Sequence, residues 1–443
     1  MTYLPARRPA PEGVADRYGF RHATRSEAAH DAFAHATEGL LAYRRDTGTA
    51  IETALRADPT MAAAHALQGF ALMLAGREET LAAARASLAA AQPVTEDETA
   101  LVAALGQAVA TGPLAAAAVL EAHLQRRKLV PLLVKLATML RFLGGDGAGM
   151  RRATTAVLPH WAPEHPGYGY ILGCHAFALE ETGDFAAAEA AGRAAIAAAP
   201  EDPWAVHAVA HVLEMTKRPA EGIAWIEGCR QGWSGCNNFA YHLYWHLALF
   251  HLEQGDTARV LALYDRAIRP DRSEDNRDFA NAASLLWRLR QDGVPVGGRW
   301  AELADIARRR RHEATHVFTA LHRLFALVAV GDRPAAHDAA RALASTDAGE
   351  QAAVAAGIGL PLARAIMALL PEEGPPPPLD GLAAGLAPLG GSHAQRDVFM
   401  RTLIRLAAAR QDSATLAGLV ATRRRLMRDD AFLRRLGGRS GDR

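Results

Sequence analysis

The sequence predicts an all-α chain: an α–α superhelix of stacked, degenerate helix pairs, curled around an internal pocket. Three observations predict it. Alanine and leucine dominate, and apolar residues recur at helical spacing nearly throughout, while β-branched runs are scarce. Short polar punctuators such as RADPT, AGREE, ETGDF, AAPEDP, EQGDT, RPDRS and VGDRP recur as helix stops and N-caps. A third signal is cadence: a helix, Gly-Asp, a second helix of small residues, then proline.

Taken in order, residues 1–22 read as an N-terminal arm, and MTYLPARRPAPEG lacks the apolar run of a secretory signal. One domain is expected over 23–435, with a flexible tail at 436–443. The cadence first shows in ALQGFALMLAGREETLAAARASLAAAQP (66–93). GGDGAG (144–149) reads as a flexible turn and HWAPEHPGYGY (160–170) as a loop re-entering a helix. LEETGDFAAAEAAGRAAIAAAPEDP and LALFHLEQGDTARVLALYDRAIRPD are the fullest copies, with the rhythm of a tetratricopeptide repeat. Leu179-Glu180 aligns with Leu213-Glu214 at about the 34-residue period of such repeats. Such a pair cannot bury its apolar face alone, so pairs must stack. AAVAAGIGLPLARAIMALL (352–370) contains Pro361 and Arg364 and reads as a buried helix, not a membrane span. PEEGPPPPLD (371–380) can be neither helix nor strand, because proline fixes φ and removes donors.

Composition excludes several classes. Net charge is +1, and no basic stripe marks a nucleic-acid partner. No membrane partner is expected. Cysteines number 3 (Cys174, Cys229 and Cys236) and form no C-x-x-C, which argues against a disulfide framework and a zinc ribbon and fits a reducing cytoplasm.

The chemistry-bearing residues cluster late. In WAVHAVAHVLEM, His207, His211 and Glu214 share one helical face. His242 and His246 repeat the spacing one repeat on, and first helices of stacked repeats line the concave surface. The two pairs are therefore expected to share one cavity as the catalytic group. Glu214 would orient an imidazole or act as a base, with Trp204 and Trp245 as a dry wall. Three imidazoles, His207, His211 and His246, with a carboxylate would suit zinc or a similar divalent ion, although H-E-x-x-H is absent. Asp278, Asn281, Leu285 and Arg288 fall near one face, read mainly as solvated, with Asn281 retained as a substrate contact. His322 lies in an apolar helix, where a lone histidine is more often a core residue, and it is retained as a substrate contact. In LAPLGGSHAQRDVFM, Ser392 and Gln395 fit a capping box, while His393, Gln395, Arg396 and Asp397 form a candidate anion site at a helix start. No P-loop, G-x-G-x-x-G or G-x-S-x-G is present.

LEETGDF, PWAVHAVAHVLEM, NNFAYHLYWHLALFHLEQGD, YDRAI, NAASLLWRL and GGSHAQRDVF in combination resemble the tetratricopeptide repeat protein 38 family, over roughly residues 16–430. The resemblance implies a soluble α-helical repeat protein and no assured activity. The family's His-rich helix pair matches His207, His211, Glu214, His242 and His246. Its late motif matches Gly390, Gly391, Ser392, Ala394, Gln395, Arg396 and Asp397. An aspartate expected two residues before His322 is Ala320 here.

Two functions follow. The first is acid–base or metal-assisted chemistry, or plain binding, on a small polar, anionic metabolite. It requires the superhelix to curl so that the 390–397 segment meets the histidines, with Arg396 on Glu214 or an anion and Asp397 on an imidazole. The second is a scaffold holding a peptide in its concave groove. A homodimer is kept as a further assembly.

Overall fold

Helix pairs run from Glu27 to Gly438 in the computed structural model, which describes residues 13–428 and 430–438. Their inner and outer members differ in burial as the sequence demands. Every residue of the inner helix Pro203–Met215 is buried. The outer helix Phe185–Ala198 buries only Ala188, Gly192 and Ala195, a seam of small residues at helical spacing. A Cβ on Gly192 would lie 2.5 Å from Val209, so only glycine permits that close packing. The punctuators are turns and caps. Gly183, Gly255 and Gly331 each take φ between 74° and 83° at an inner-to-outer turn, and Asp256 and Asp332 then cap the outer helix.

The superhelix closes on itself. An open solenoid touches only its sequence neighbours. Here Asn276 Nδ2 and Thr315 Oγ1 both donate to the Gly76 carbonyl, at 2.9 and 2.7 Å. Glu350 accepts from Leu114 and Ala115 N–H groups at the start of helix Pro113–Leu124 (3.0 and 2.8 Å). Arg45 donates to the Cys236 carbonyl at 2.8 Å. Leu143 and Gly390 meet so closely that a Cβ on Gly390 would lie 2.2 Å from the Leu143 carbonyl oxygen. The apolar interior falls into two large clusters, one built mainly before residue 172 and one mainly after it.

Four local expectations change. Val14–Ala15 pairs with Arg21–His22, so the described part of the arm is a short antiparallel ribbon with His22 buried. Only Gly144 and Gly145 of GGDGAG turn, because Asp146 caps helix Gly147–Val157 by accepting from Gly149 N–H. Within 352–370 a π-turn, Ala355–Gly359, separates two short helices. Helix Ala431–Gly438 extends into the segment read as a tail, while residues 1–12 and 439–443 lie outside the described residues. No helix among the described residues is long and apolar enough to cross a membrane.

Asp97 fastens the ribbon to the first repeats. It accepts from Arg21 N–H (2.8 Å), His123 Nε2 (2.6 Å) and Arg127 Nη2 (2.9 Å). Burial alone would raise its pKa, but these hydrogen bonds and the Arg127 charge prevail and hold it at about 2. A depressed carboxylate contributes stability above its unfolded pKa and loses it as pH falls through the folded one. The difference in urea midpoint between the parent and Asp97→Asn should be full at pH 6, on the order of 2 kcal/mol. It should shrink steadily as the pH is lowered toward 2. A pH-independent difference would refute the ion-paired reading.

Candidate functional site

Helix Pro203–Met215 begins at Asp202, whose side chain accepts from Trp204 N–H, and Pro203 sits where its missing donor costs nothing. That start fixes the helical phase, and the phase points His207, His211 and Glu214 inward. Helix Phe239–Glu253 does the same for His242 and His246. The four imidazoles meet. His207 Nε2 lies 3.0 Å from His242 Nε2 and 2.9 Å from His211 Nε2, and one ring nitrogen from each histidine falls within 4.8 Å of the others. Phe177 stacks on His207 and Trp245 on His242, while Trp204 and Phe239 close the side (centroids 4.9 to 5.2 Å).

Neighbouring helices hold the rings from outside. His242 Nδ1 meets Asn281 Oδ1 at 2.8 Å, His246 Nδ1 meets Glu214 Oε2 at 2.9 Å, and His211 Nδ1 faces Glu180 Oε2 at 3.5 Å. Burial, then the other imidazoles, holds His207 and His211 well below the ordinary histidine pKa. Burial and His246 bring His242 down to about 3, against the opposing hydrogen bond to Asn281. These three rings are therefore neutral at pH 7. Burial, then the Glu181 and Glu214 carboxylates, pushes Glu180 well above the usual carboxylate range.

Several site residues fall elsewhere than expected. Arg396 does not reach Glu214. It pairs with Glu181 at 3.2 Å, and His393 N–H donates to the same carboxylate at 2.8 Å. Asp397 orients no imidazole, because Arg423 takes both its oxygens (2.7 and 3.0 Å). Gln395 and Ser392 form the capping box and nothing more. His322 bonds the Phe318 carbonyl of its own helix at 2.8 Å and packs against Phe318 and Phe399, apart from the cluster. Asp278, Asn281, Leu285 and Arg288 are buried rather than solvated, because helix Asn276–Gln291 is packed between neighbouring repeats and the C-terminal helices. The carboxylate expected among the metal ligands stands behind His246, and the fourth converging ring nitrogen is that of His242.

Sequence reasoning missed Glu180, although its alignment with Glu214 one repeat later was the available signal. It placed Arg288 on a solvated face, whereas that side chain lies over the Trp245 ring and donates to the Ala394 carbonyl at 2.7 Å, tying the histidine region to the 390–397 segment. A cavity of about 40 Å³ lies on the far side of Glu214 among Lys217, Arg288, Asp397, Arg401 and Asp430.

The opposite face of helix Phe239–Glu253 lines a larger groove of about 340 Å³. Tyr241, Tyr244 and Leu247 form one wall, and Leu263, Ala267 and Pro270 another. Arg45, Arg230, Arg259 and Arg266 stand exposed around it. The second wall includes a π-turn, Tyr264–Ile268, a distortion that recurs at functional surfaces.

No family model matches the chain. Among solved structures it is similar to yeast Tom70, at 12% identity and a TM-score of 0.38, over 90% of this chain and 84% of that one. It is similar to human IFIT1, solved as a dimer with m7Gppp-AAAA, at 13% identity and a TM-score of 0.36, over 85% and 90% of the two chains. It is also similar to the tetratricopeptide domain of P58(IPK), at 13% identity and a TM-score of 0.21, over 94% and 99%. The tetratricopeptide-like superhelix rests on the helix pairs described above.

Proposed function

We propose that this chain is a helical-repeat docking protein whose partner is an acidic segment of another protein. The observation that carries the reading is the groove: four exposed arginines around apolar walls bearing two tyrosines. Guanidinium forks match carboxylates bidentately, and tyrosine gives contact area at small entropic cost. The nearby carboxylates are engaged, since Asp265 pairs with Arg299 and Asp271 accepts from Tyr241. The motifs resembling the tetratricopeptide repeat protein 38 family run through this same helix and support a repeat-protein role.

The test uses a fluorescent peptide rich in Asp and Glu with one leucine. Its binding should weaken with salt and fall at least tenfold, about 1.4 kcal/mol, in Arg259→Glu/Arg266→Glu. Arg152→Glu, on an exposed arginine away from the groove, should change little. Equal affinity in all three proteins, or none in the parent, would remove the reading.

A second reading keeps acid–base or metal-assisted chemistry on a small anionic metabolite at the histidines. It is favoured by Glu214, which touches His246 on one side and a cavity lined by both Lys217, Arg288 and Arg401 and by Asp397 and Asp430 on the other. A cavity of about 40 Å³ admits only water, so that chemistry requires the Lys217 side to open. A screen of anionic metabolites for thermal stabilisation lost in Glu214→Gln checks it.

A further inference from the structure

A neutral imidazole has one proton and one lone pair, and its outer partner decides which nitrogen carries which. Asn281 Oδ1 and Glu214 Oε2 are acceptors, so His242 and His246 donate outward from Nδ1. Glu180 Oε2 lies 3.5 Å from His211 Nδ1 without a hydrogen bond, so it does not fix that ring's tautomer. His242 and His246 aim bare Nε2 lone pairs inward. His207 Nε2 stands about 3 Å from both His242 Nε2 and His211 Nε2, and a ring nitrogen offers either one proton or one lone pair. At least one of those contacts is therefore not a hydrogen bond. His246 Nε2 is buried with no hydrogen-bond partner at all. Converging ring nitrogens that cannot all pair with one another are brought together by a shared cation.

We infer that His207, His211, His242 and His246 form a closed site for one divalent transition-metal ion, which pins successive inner helices of the superhelix. The dimensions fit. Two metal–nitrogen bonds of about 2.0–2.1 Å place their nitrogens roughly 2.9 Å apart in tetragonal and 3.4 Å apart in tetrahedral geometry. The observed separations are 2.9 and 3.0 Å. An all-imidazole donor set selects zinc, copper(II) or nickel(II) and disfavours magnesium and calcium. The four donors are imidazole nitrogens, and two buried acidic side chains, Glu214 and Glu180, stand directly behind them. Both Glu180 oxygens are buried without a hydrogen bond of ordinary geometry, an arrangement that a nearby cation relieves.

The position of the site assigns its role. His207, His211 and Glu214 come from helix Pro203–Met215, His242 and His246 from Phe239–Glu253, Glu180 from Tyr168–Glu180 and Asn281 from Asn276–Gln291. One ion thus involves four consecutive inner helices, two through ligands, one through Asn281, which orients His242, and one through Glu180, which faces His211. Protein nitrogens fill every position, and the exposure of the four residues is at most 7%. A saturated, dry site of this kind is structural, since a catalytic one keeps a position open. The same helix Phe239–Glu253 presents Tyr241 and Tyr244 to the groove, so the ion fixes the wall on which the proposed peptide would rest.

The experiment uses the full chain, expressed without a histidine tag, purified without chelator, and dialysed separately against zinc, cobalt(II) and copper(II). One ion per chain is expected. Cobalt should show visible ligand-field bands of nitrogen coordination, and the copper arm should show whether the cage prefers tetragonal geometry. Affinity should fall at least 100-fold in His207→Ala/His246→Ala. Asn281→Leu keeps all four ligands and removes only an orienting acceptor, so it guards against misfolding of the double variant and should lose 10- to 100-fold. His322→Ala, a buried histidine outside the cluster, should bind as the parent does. Less than one-tenth of an ion per chain in all three arms would overturn the inference. So would unchanged affinity in both cage variants while circular dichroism shows them folded. Neither result bears on the acidic-peptide assay, which reads the opposite face of the helix.

Discussion

Replacing Arg423 by alanine is expected to cost about 3–5 kcal/mol, because it leaves two buried carboxylates without their cation. Arg423 is 1% exposed. It donates to Asp397 at 2.7 and 3.0 Å and to Asp430 at 3.1 and 2.6 Å. Burial would raise both aspartates, but the guanidinium holds each below the ordinary carboxylate range. One side chain thereby joins helices His393–Ala409, Ser413–Leu426 and Ala431–Gly438. The urea midpoint of Arg423→Ala should fall accordingly, and Arg423→Lys should recover only part of it, since an ammonium cannot serve two carboxylates bidentately. The effect should also weaken in acid. Depressed carboxylates stabilise above their unfolded pKa, and the advantage disappears as pH falls through the folded values. A loss below 1 kcal/mol at neutral pH would mean that the triad is not paired in solution.

Zinc supplied at about a thousand times its dissociation constant is expected to stabilise the metal-free protein by about 4 kcal/mol, since an ion bound only by the folded state adds RT ln(1 + [L]/Kd). The gain should be local. Amide exchange should slow most in Pro203–Met215 and Phe239–Glu253, which carry the four imidazoles, and little in Ala62–Ala75, which lies outside the cluster. Uniform protection, or stabilisation that survives in His207→Ala/His246→Ala, would assign the effect to another site.

Periodicity, punctuation and composition determined the all-α superhelix, because each states a local requirement: an apolar stripe to bury, a turn needing positive φ, a cap. The histidine pairs were legible for the same reason. Spacings of three and four put side chains on one face, and repeat register aims two such faces into one interior. Their convergence to 2.9 and 3.0 Å, and the choice of four imidazoles over three with a carboxylate, were decided by the packing of adjacent helices, which no spacing records. Ring closure was likewise tertiary. Asn276 and Thr315 meet Gly76, and Glu350 caps Pro113–Leu124, through contacts over two hundred residues long or nearly so. The partners of Arg396 and Asp397 follow from that closure. A charged side chain pairs with whichever opposite charge is buried beside it, and only the folded chain placed Glu181 beside one and Arg423 beside the other.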